Sequence, residues 1–174
     1  MYITVEQFMQ YTERNNGNDD TLAVVFCSAA CDVVNDYLGY DPEQKTYRLI
    51  INGDDSNQLI VPVKPIKEIT AVSIAGVAIN PDTIFTQDNY LFNSTGIFPA
   101  GIGNVIVECI AGHESVPGII KMTALRIAGV LAAEENGNIG IQSKSFGDAG
   151  SRVFLNSRFD RYLETVEKYR IYRM

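Results

Sequence analysis

A chain of 174 residues, 46% of them hydrophobic, is long enough to bury one real core and too short for two large domains. The net charge of −7 works against tight nucleic-acid binding by the body of the chain, because like charge repels phosphate. Three scattered cysteines without a secretory signal argue against a disulfide framework and for a reducing cytoplasm, and no apolar run approaches the roughly 20 residues of a bilayer span, so no membrane partner is expected.

Taken in chain order, Thr4 and Gln7 have the spacing of a capping box, which predicts a short helix with Val5, Phe8 and Met9 on its apolar edge. The run Asn15-Asn-Gly-Asn18 is expected to end it. A second helix should begin at Asp19 or Asp20, whose carboxylates suit a helix N-terminus. Leu22, Val25, Phe26, Ala29, Val33, Tyr37 and Leu38 form its expected buried stripe, and Gly39 with Pro42 stops it.

From Thr46 the apolar period changes from 3.6 to 2, with Tyr47, Leu49 and Ile51 on one face and Arg48 and Ile50 on the other. A strand over 46–51 is therefore predicted. Gly53-Asp-Asp-Ser56 reads as a turn into a strand at 58–61, while Pro62 and Pro65 mark an edge or connector. Strands at 69–74 and 77–79 flank a tight hairpin at Ala75-Gly76, and further short strands are expected at 90–93, 97–98 and 104–111.

The strand over 104–111 hands over through His113-Glu-Ser-Val-Pro117 to a long helix, since proline suits the first helical turn. Ile120, Thr123, Ala124, Ile127, Ala128 and Leu131 recur at helical spacing, and Asn136-Gly137 supply the stop. Residues 138–151 hold three glycines among polar residues and read as a flexible arm. A last helix is expected from about Asn156 or Ser157, with Phe159, Tyr162, Leu163, Val166 and Tyr169 facing inward. The fold class is thus α+β: a small bundle of four helices, two N-terminal, one long after the insert and one C-terminal, around an antiparallel β insert. In one unit of 174 residues, 1–43 and 113–174 form the helical frame and 44–112 the insert.

No constellation in the chain supports catalysis. His113 beside Glu114 lies at a strand-to-helix turn, where a polar loop residue is the plain explanation. Cys27, Cys31 and Cys109 stand in no familiar zinc spacing and read as small core residues. Asp32 and Asp36 share a helix face, which reads as a solvated or partner-facing surface. Gly101-Ile-Gly103 opens a strand, so it is no phosphate loop. Neither an enzyme nor a cofactor or metal is expected. Charge is nonetheless uneven: residues 152–174 carry six basic against three acidic side chains, a surplus of +3 that leaves the other 151 residues at −10. A basic tail of this kind suits an acidic partner.

The order helix, helix, β insert, long helix, glycine-rich arm and final helix resembles the head-tail connector proteins, or adaptors, of tailed phages. The resemblance covers nearly the whole chain. It rests on Met1-Tyr-Ile-Thr-Val-Glu-Gln-Phe8, Ala30-Cys-Asp-Val-Val-Asn-Asp-Tyr-Leu-Gly39, Thr46-Tyr-Arg-Leu-Ile-Ile51 and Leu59-Ile-Val-Pro-Val-Lys-Pro-Ile-Lys-Glu-Ile-Thr-Ala-Val-Ser73. It continues through Gly96-Ile-Phe-Pro99, Val105-Ile-Val-Glu-Cys-Ile-Ala-Gly112 and Val116-Pro117. It implies a virion structural protein, made in the cytoplasm of a host bacterium, in which identical subunits, twelve by the family's pattern, form a ring beneath the portal protein. DNA would pass through its lumen without sequence-specific contact, and a stopper or tail-completion protein would follow below. Under this reading Arg158, Arg161, Lys168, Arg170 and Arg173 dock on the portal, and Ile141, Lys144, Phe146 and Asp148 carry the arm onto a neighbouring subunit. Another neck component, such as a stopper, is the alternative, and a non-viral ligand-binding module is a more distant one.

Overall fold

The computed structural model describes residues 1–13, 20–135, 143–145, 151–153 and 159–171. It divides into two compact units, Met1–Leu38 with Pro117–Arg170, and Gly39–Val116 with Ile171–Met174. Helices dominate the first and sheets the second, which makes an α+β fold.

In the first unit, α1 (Val5–Thr12) starts on the expected capping box: Gln7 N–H donates to Thr4 Oγ1 at 3.1 Å and Thr4 N–H to Gln7 Oε1 at 3.0 Å. It ends before the asparagine run, because Glu13 takes the left-handed conformation (φ 53°) and its N–H returns to the last carbonyls. The asparagines themselves lie outside the described residues. Helix α2 (Asp20–Leu38) packs against α1 and α3 (Gly118–Glu135). On α3 the expected positions Ile120, Thr123, Ala124, Ile127 and Ala128 are buried, with Leu131 half-buried.

On α2 the expected stripe is rotated. Ala23, Cys27, Ala30, Cys31, Val34 and Leu38 are buried, whereas Phe26, Ala29, Val33 and Tyr37 are half-buried and Leu22 and Val25 exposed. Small residues allow the close approach of α3, so the larger apolar side chains are turned away. One expectation is corrected outright: Thr21–Leu38 has mean hydropathy 1.4 and is long and apolar enough, by length and composition, to cross a membrane. Only 33% of that window is buried. A helix that is apolar over most of its circumference while carrying Asp32 and Asp36 passes this test as the core helix of a packed unit also does.

The C-terminal element differs from the expected regular helix. Only α4 (Asp160–Leu163) is α-helical, and Glu164–Tyr169 continues as a 3₁₀ helix. Phe159 at its start makes no side-chain cap bond, and Thr165 Oγ1 donates to the Tyr162 carbonyl at 2.6 Å and meets Thr123 Oγ1 at 3.0 Å. A hydroxyl competing for a backbone carbonyl tightens the turn locally. Leu163 and Val166 are buried as expected, while the expected start at Asn156 or Ser157 lies outside the described residues.

The second unit holds a four-stranded antiparallel sheet in the order β1 (Lys45–Gly53), β7 (Gly101–Ala111), β3 (Ile66–Ile74), β4 (Val77–Ile79). A three-stranded sheet orders β2 (Gln58–Ile60), β6 (Tyr90–Asn93) and β5 (Ile84–Gln87). The period-2 reading of β1 holds: Leu49 and Ile51 pair with Val107 and Val105, and Arg48 faces out toward Glu108 at 3.6 Å. Strand β7 is the centre of the core, since Val105 and Val107 also pair with Ile74 and Val72 of β3. Phe98, Leu59, Val61, Leu91 and Ile84 fill the same buried cluster.

Two strands start earlier than expected and one was missed: β3 begins at Ile66 and carries two register shifts, β7 begins at Gly101, and β5 was not expected at all. The early start of β7 follows from two asparagines. Gly53 N–H donates to Asn104 Oδ1 at 2.9 Å, Gly103 N–H to Asn52 Oδ1 at 2.7 Å, and Asn104 Nδ2 to the Pro99 carbonyl at 2.7 Å. Side chains thus pin the glycine-rich start of the strand, in which Gly103 is left-handed (φ 61°). The segment expected as a strand at 97–98 makes one bridge only, Phe98 with Ser56. Farther along, β8 (Ser143–Ser145) pairs antiparallel with β9 (Ser151–Val153).

Candidate functional site

The residue types that could carry chemistry lie in ordinary structural settings. All three cysteines are free and buried, Cys27 and Cys31 on α2 and Cys109 on β7. Burial, reinforced by the neighbouring Cys31 sulfur, pushes the Cys27 thiol up to about 11, which makes it a poor nucleophile. Among the described residues, no three His, Cys, Asp or Glu side chains gather where a metal ion could be held.

His113 lies half-buried in the turn between β7 and α3. Its N–H donates to the Pro42 carbonyl at 2.8 Å and its carbonyl accepts from Gln44 N–H at 3.2 Å. Burial, with a smaller contribution from Lys67, holds its imidazole below the usual value of 6.5. Lys67 is itself paired with Glu114 at 3.4 Å. Because the unfolded chain takes up this proton more readily, the stabilisation from neutral His113 is complete above pH 6.5 and is lost as pH falls through the folded value. Thermal melts of wild type and His113→Gln between pH 7.5 and 5 should show a shallower acid-side decline in the variant; parallel profiles would contradict this.

The C-terminal cations expected to dock on a partner differ in how far the fold uses them. Arg170 pairs with Glu167 at 3.8 Å and lies over the Tyr37 ring at 4.8 Å, and the Tyr37 hydroxyl donates to the same Glu167 carboxylate. Lys168 is exposed and lies over the Tyr169 ring at 4.9 Å. Arg161 is exposed on α4 and makes no ion pair among the described residues. Arg158 and Arg173 lie outside the described residues. So do Ile141, Phe146 and Asp148 of the expected arm, while Lys144 stands in β8 opposite Arg152.

Arg161 does not stand alone. It lines a cleft of about 620 Å³ in the helical unit whose α3 side is Arg126, Gly129, Val130 and Ala133. Tyr11 of α1 and Tyr162 and Thr165 of the C-terminal element complete the lining. The cleft therefore presents two guanidinium groups and no carboxylate. Sequence reading missed Arg126, although its place could have been found. It follows Ile119 and Met122 at helical spacing on the face away from Ile120, Ala124 and Ile127.

These outer helix faces are the other feature of the unit. On α2, Leu22 is 39% and Val25 54% exposed; on α3, Ile119 is 38% and Met122 37% exposed. Beyond its apolar end each strip becomes charged, α2 with exposed Asp32 and Asp36 and α3 with Arg126. Such faces suit protein contact, not chemistry on a small molecule.

Comparison with known proteins gives the same direction. The chain is similar to one from the neck of an empty gene transfer agent (GTA) particle computed with C6 symmetry, at 15% identity and TM-score 0.66, over 99% of this chain and 91% of that one. It is similar to a chain of the virion of the native GTA particle, at 13% identity and TM-score 0.64, and to one from the neck of the native particle computed with C12 symmetry, at 12% and 0.64. Both of these cover 99% of this chain and 91% of the other. No curated protein sequence matches. A family model described as head completion protein matches residues 1–145, most of the chain, and on that match the chain belongs to the head completion protein family.

Proposed function

We propose that the protein is a structural component of a virion neck that forms a closed ring beneath the portal, extends the DNA channel and connects head to tail. The family match over residues 1–145 carries this reading, and the presence of similar chains in necks computed with C6 and C12 symmetry supports a ring of twelve. Two unlike contact faces on one helical unit are what a head-to-tail ring requires. The acidic body fits a channel through which DNA must slide, because a lining rich in cations would hold phosphate by counterion release.

Within this reading the basic C-terminal residues Arg158, Arg161, Lys168, Arg170 and Arg173 meet an acidic rim of the portal, and the arm residues Ile141, Lys144, Phe146 and Asp148 reach a neighbouring copy. Mixing the protein with the portal protein of the same particle and imaging by electron microscopy should give a stacked ring. Reversing Arg158 and Lys168 to Glu should weaken portal binding by about tenfold or more and flatten its salt dependence. Binding unchanged by the reversal would remove the docking role from this segment. The absence of any complex across concentration and salt would remove the neck-ring reading itself.

A further inference from the structure

We propose that the cleft lined by Arg126 and Arg161 is a peptide-binding site and that its occupant is an acidic segment of the portal. This inference rests on the neck reading above. It specifies where the portal is held, and it adds a residue of α3, Arg126, to the C-terminal cations. The whole lining belongs to the helical unit.

The observation that carries the proposal is a pair of guanidinium groups with nothing to bind. Arg126 is half-buried on α3, and among the described residues it makes no hydrogen bond and no ion pair. Arg161, supplied by α4, is exposed and equally without a partner among the described residues. Each carries five N–H donors in a planar fork, and taking such a cation partly out of water with no acceptor is unfavourable. No carboxylate lines the cleft to relieve it. A carboxylate entering from outside would accept charge-assisted, bidentate hydrogen bonds from these forks.

The rest of the lining suits a peptide. Gly129 has no side chain, and a Cβ there would stand 3.7 Å from Tyr11 Cε1 and 3.8 Å from Thr12 Cγ2, so α1 comes close to α3 and the Tyr11 ring forms one wall. Half-buried Tyr162 forms another. Neither phenol hydroxyl makes a hydrogen bond among the described residues, which leaves both to meet peptide N–H and C=O groups. A volume of about 620 Å³ admits a few side chains of an extended segment. DNA is the other polyanion of a neck, but a duplex carries its phosphates on a stiff surface and cannot send one into a cleft. Asp160 and Glu164, exposed on either side of Arg161 in the chain, add repulsion against that surface. A carboxylate on a flexible side chain reaches past them.

The test uses the full chain, the portal protein of the same particle, fluorescein-labelled synthetic peptides that together span the portal sequence, and a labelled DNA duplex. Circular dichroism and thermal melts first establish that Arg126→Glu, Arg126→Gln and Lys121→Glu fold. Lys121 lies on α3 outside the cleft lining, so its reversal makes the same charge change elsewhere. Acidic portal peptides should raise the anisotropy on wild type, less so as salt increases. Arg126→Glu should weaken both peptide and portal binding by about tenfold or more, whereas Lys121→Glu should change either by no more than about twofold. Arg126→Gln should fall between them, and it carries the test if the reversal does not fold. Portal binding that Arg126→Glu leaves unchanged overturns the cleft site while the neck reading stands. Equal losses in Arg126→Glu and Lys121→Glu, or no acidic peptide bound, overturn it as well. Arg126-dependent binding of the duplex instead of the peptides makes phosphate the ligand and also overturns it. A portal that does not bind wild type at all removes the neck reading and this site with it.

Discussion

Replacing Gly112 with alanine should destabilise the protein by about 3–5 kcal/mol, with Tm falling by roughly 2–4 °C for each kcal/mol. Two independent causes add at this position. The backbone is left-handed (φ 101°), and a Cβ would stand 2.3 Å from the Glu43 carbonyl oxygen, 2.6 Å from its carbon and 2.8 Å from Gln44 N. Those atoms are backbone and cannot rotate away. They are also held in place, since Gly112 N–H donates to the Pro65 carbonyl at 2.9 Å and Gln44 N–H to the His113 carbonyl at 3.2 Å. Gly118→Ala is the matched control. It lies in the first turn of α3 with nothing within 4 Å of the added methyl and no left-handed backbone, so it should stabilise by about 0.5–1 kcal/mol. Denaturant unfolding of the two variants separates the causes. If Gly112→Ala costs no more than about 1 kcal/mol, the approach of the 43–44 backbone to the end of β7 is not as tight as described.

Phe98→Ala should cost about 3–5 kcal/mol, because it removes a fully buried ring from the cluster shared with Leu59, Leu91, Val105 and Val107. The backbone around it is pinned and limits collapse into the cavity: Phe98 N–H donates to the Ser56 carbonyl at 2.7 Å, and Asp55 N–H to the Phe98 carbonyl at 2.9 Å. The neighbouring Ile97 is 52% exposed, so Ile97→Ala should change stability by no more than about 0.5 kcal/mol. Denaturant midpoints that fall for Phe98→Ala at an unchanged slope, and stay put for Ile97→Ala, would fit this account. Equal effects at the two positions would contradict it.

The elements that proved readable in the sequence are those whose signal is local. The capping box at Thr4, the alternation from Tyr47 to Ile51, and the helical recurrence from Ile120 to Leu131 specify backbone conformation within a few residues. The connector resemblance rested on the order of such elements together with the segments from residues 1–8 to residues 116–117, and membership of the head completion protein family agrees with it. Strand β5 was missed because Ile84 faces in while Phe85, its larger neighbour, is 60% exposed, and because Pro81-Asp-Thr83 precedes it as a 3₁₀ turn. Its pairing with β6 is a long-range matter that composition does not carry.

What the tertiary structure alone decided is which faces are covered. Helix α2 is apolar over most of its circumference, so periodicity left its buried side ambiguous. Packing against α1 and α3 selected Ala23, Cys27, Ala30 and Val34, and turned Leu22 and Val25 outward. Likewise Arg126 and Arg161 are far apart in the chain, and only the packing of the C-terminal element on α3 brings them into one cleft. Local sequence encodes conformation because its causes act within a turn or a strand, whereas burial and site geometry depend on residues that meet only after the chain has folded.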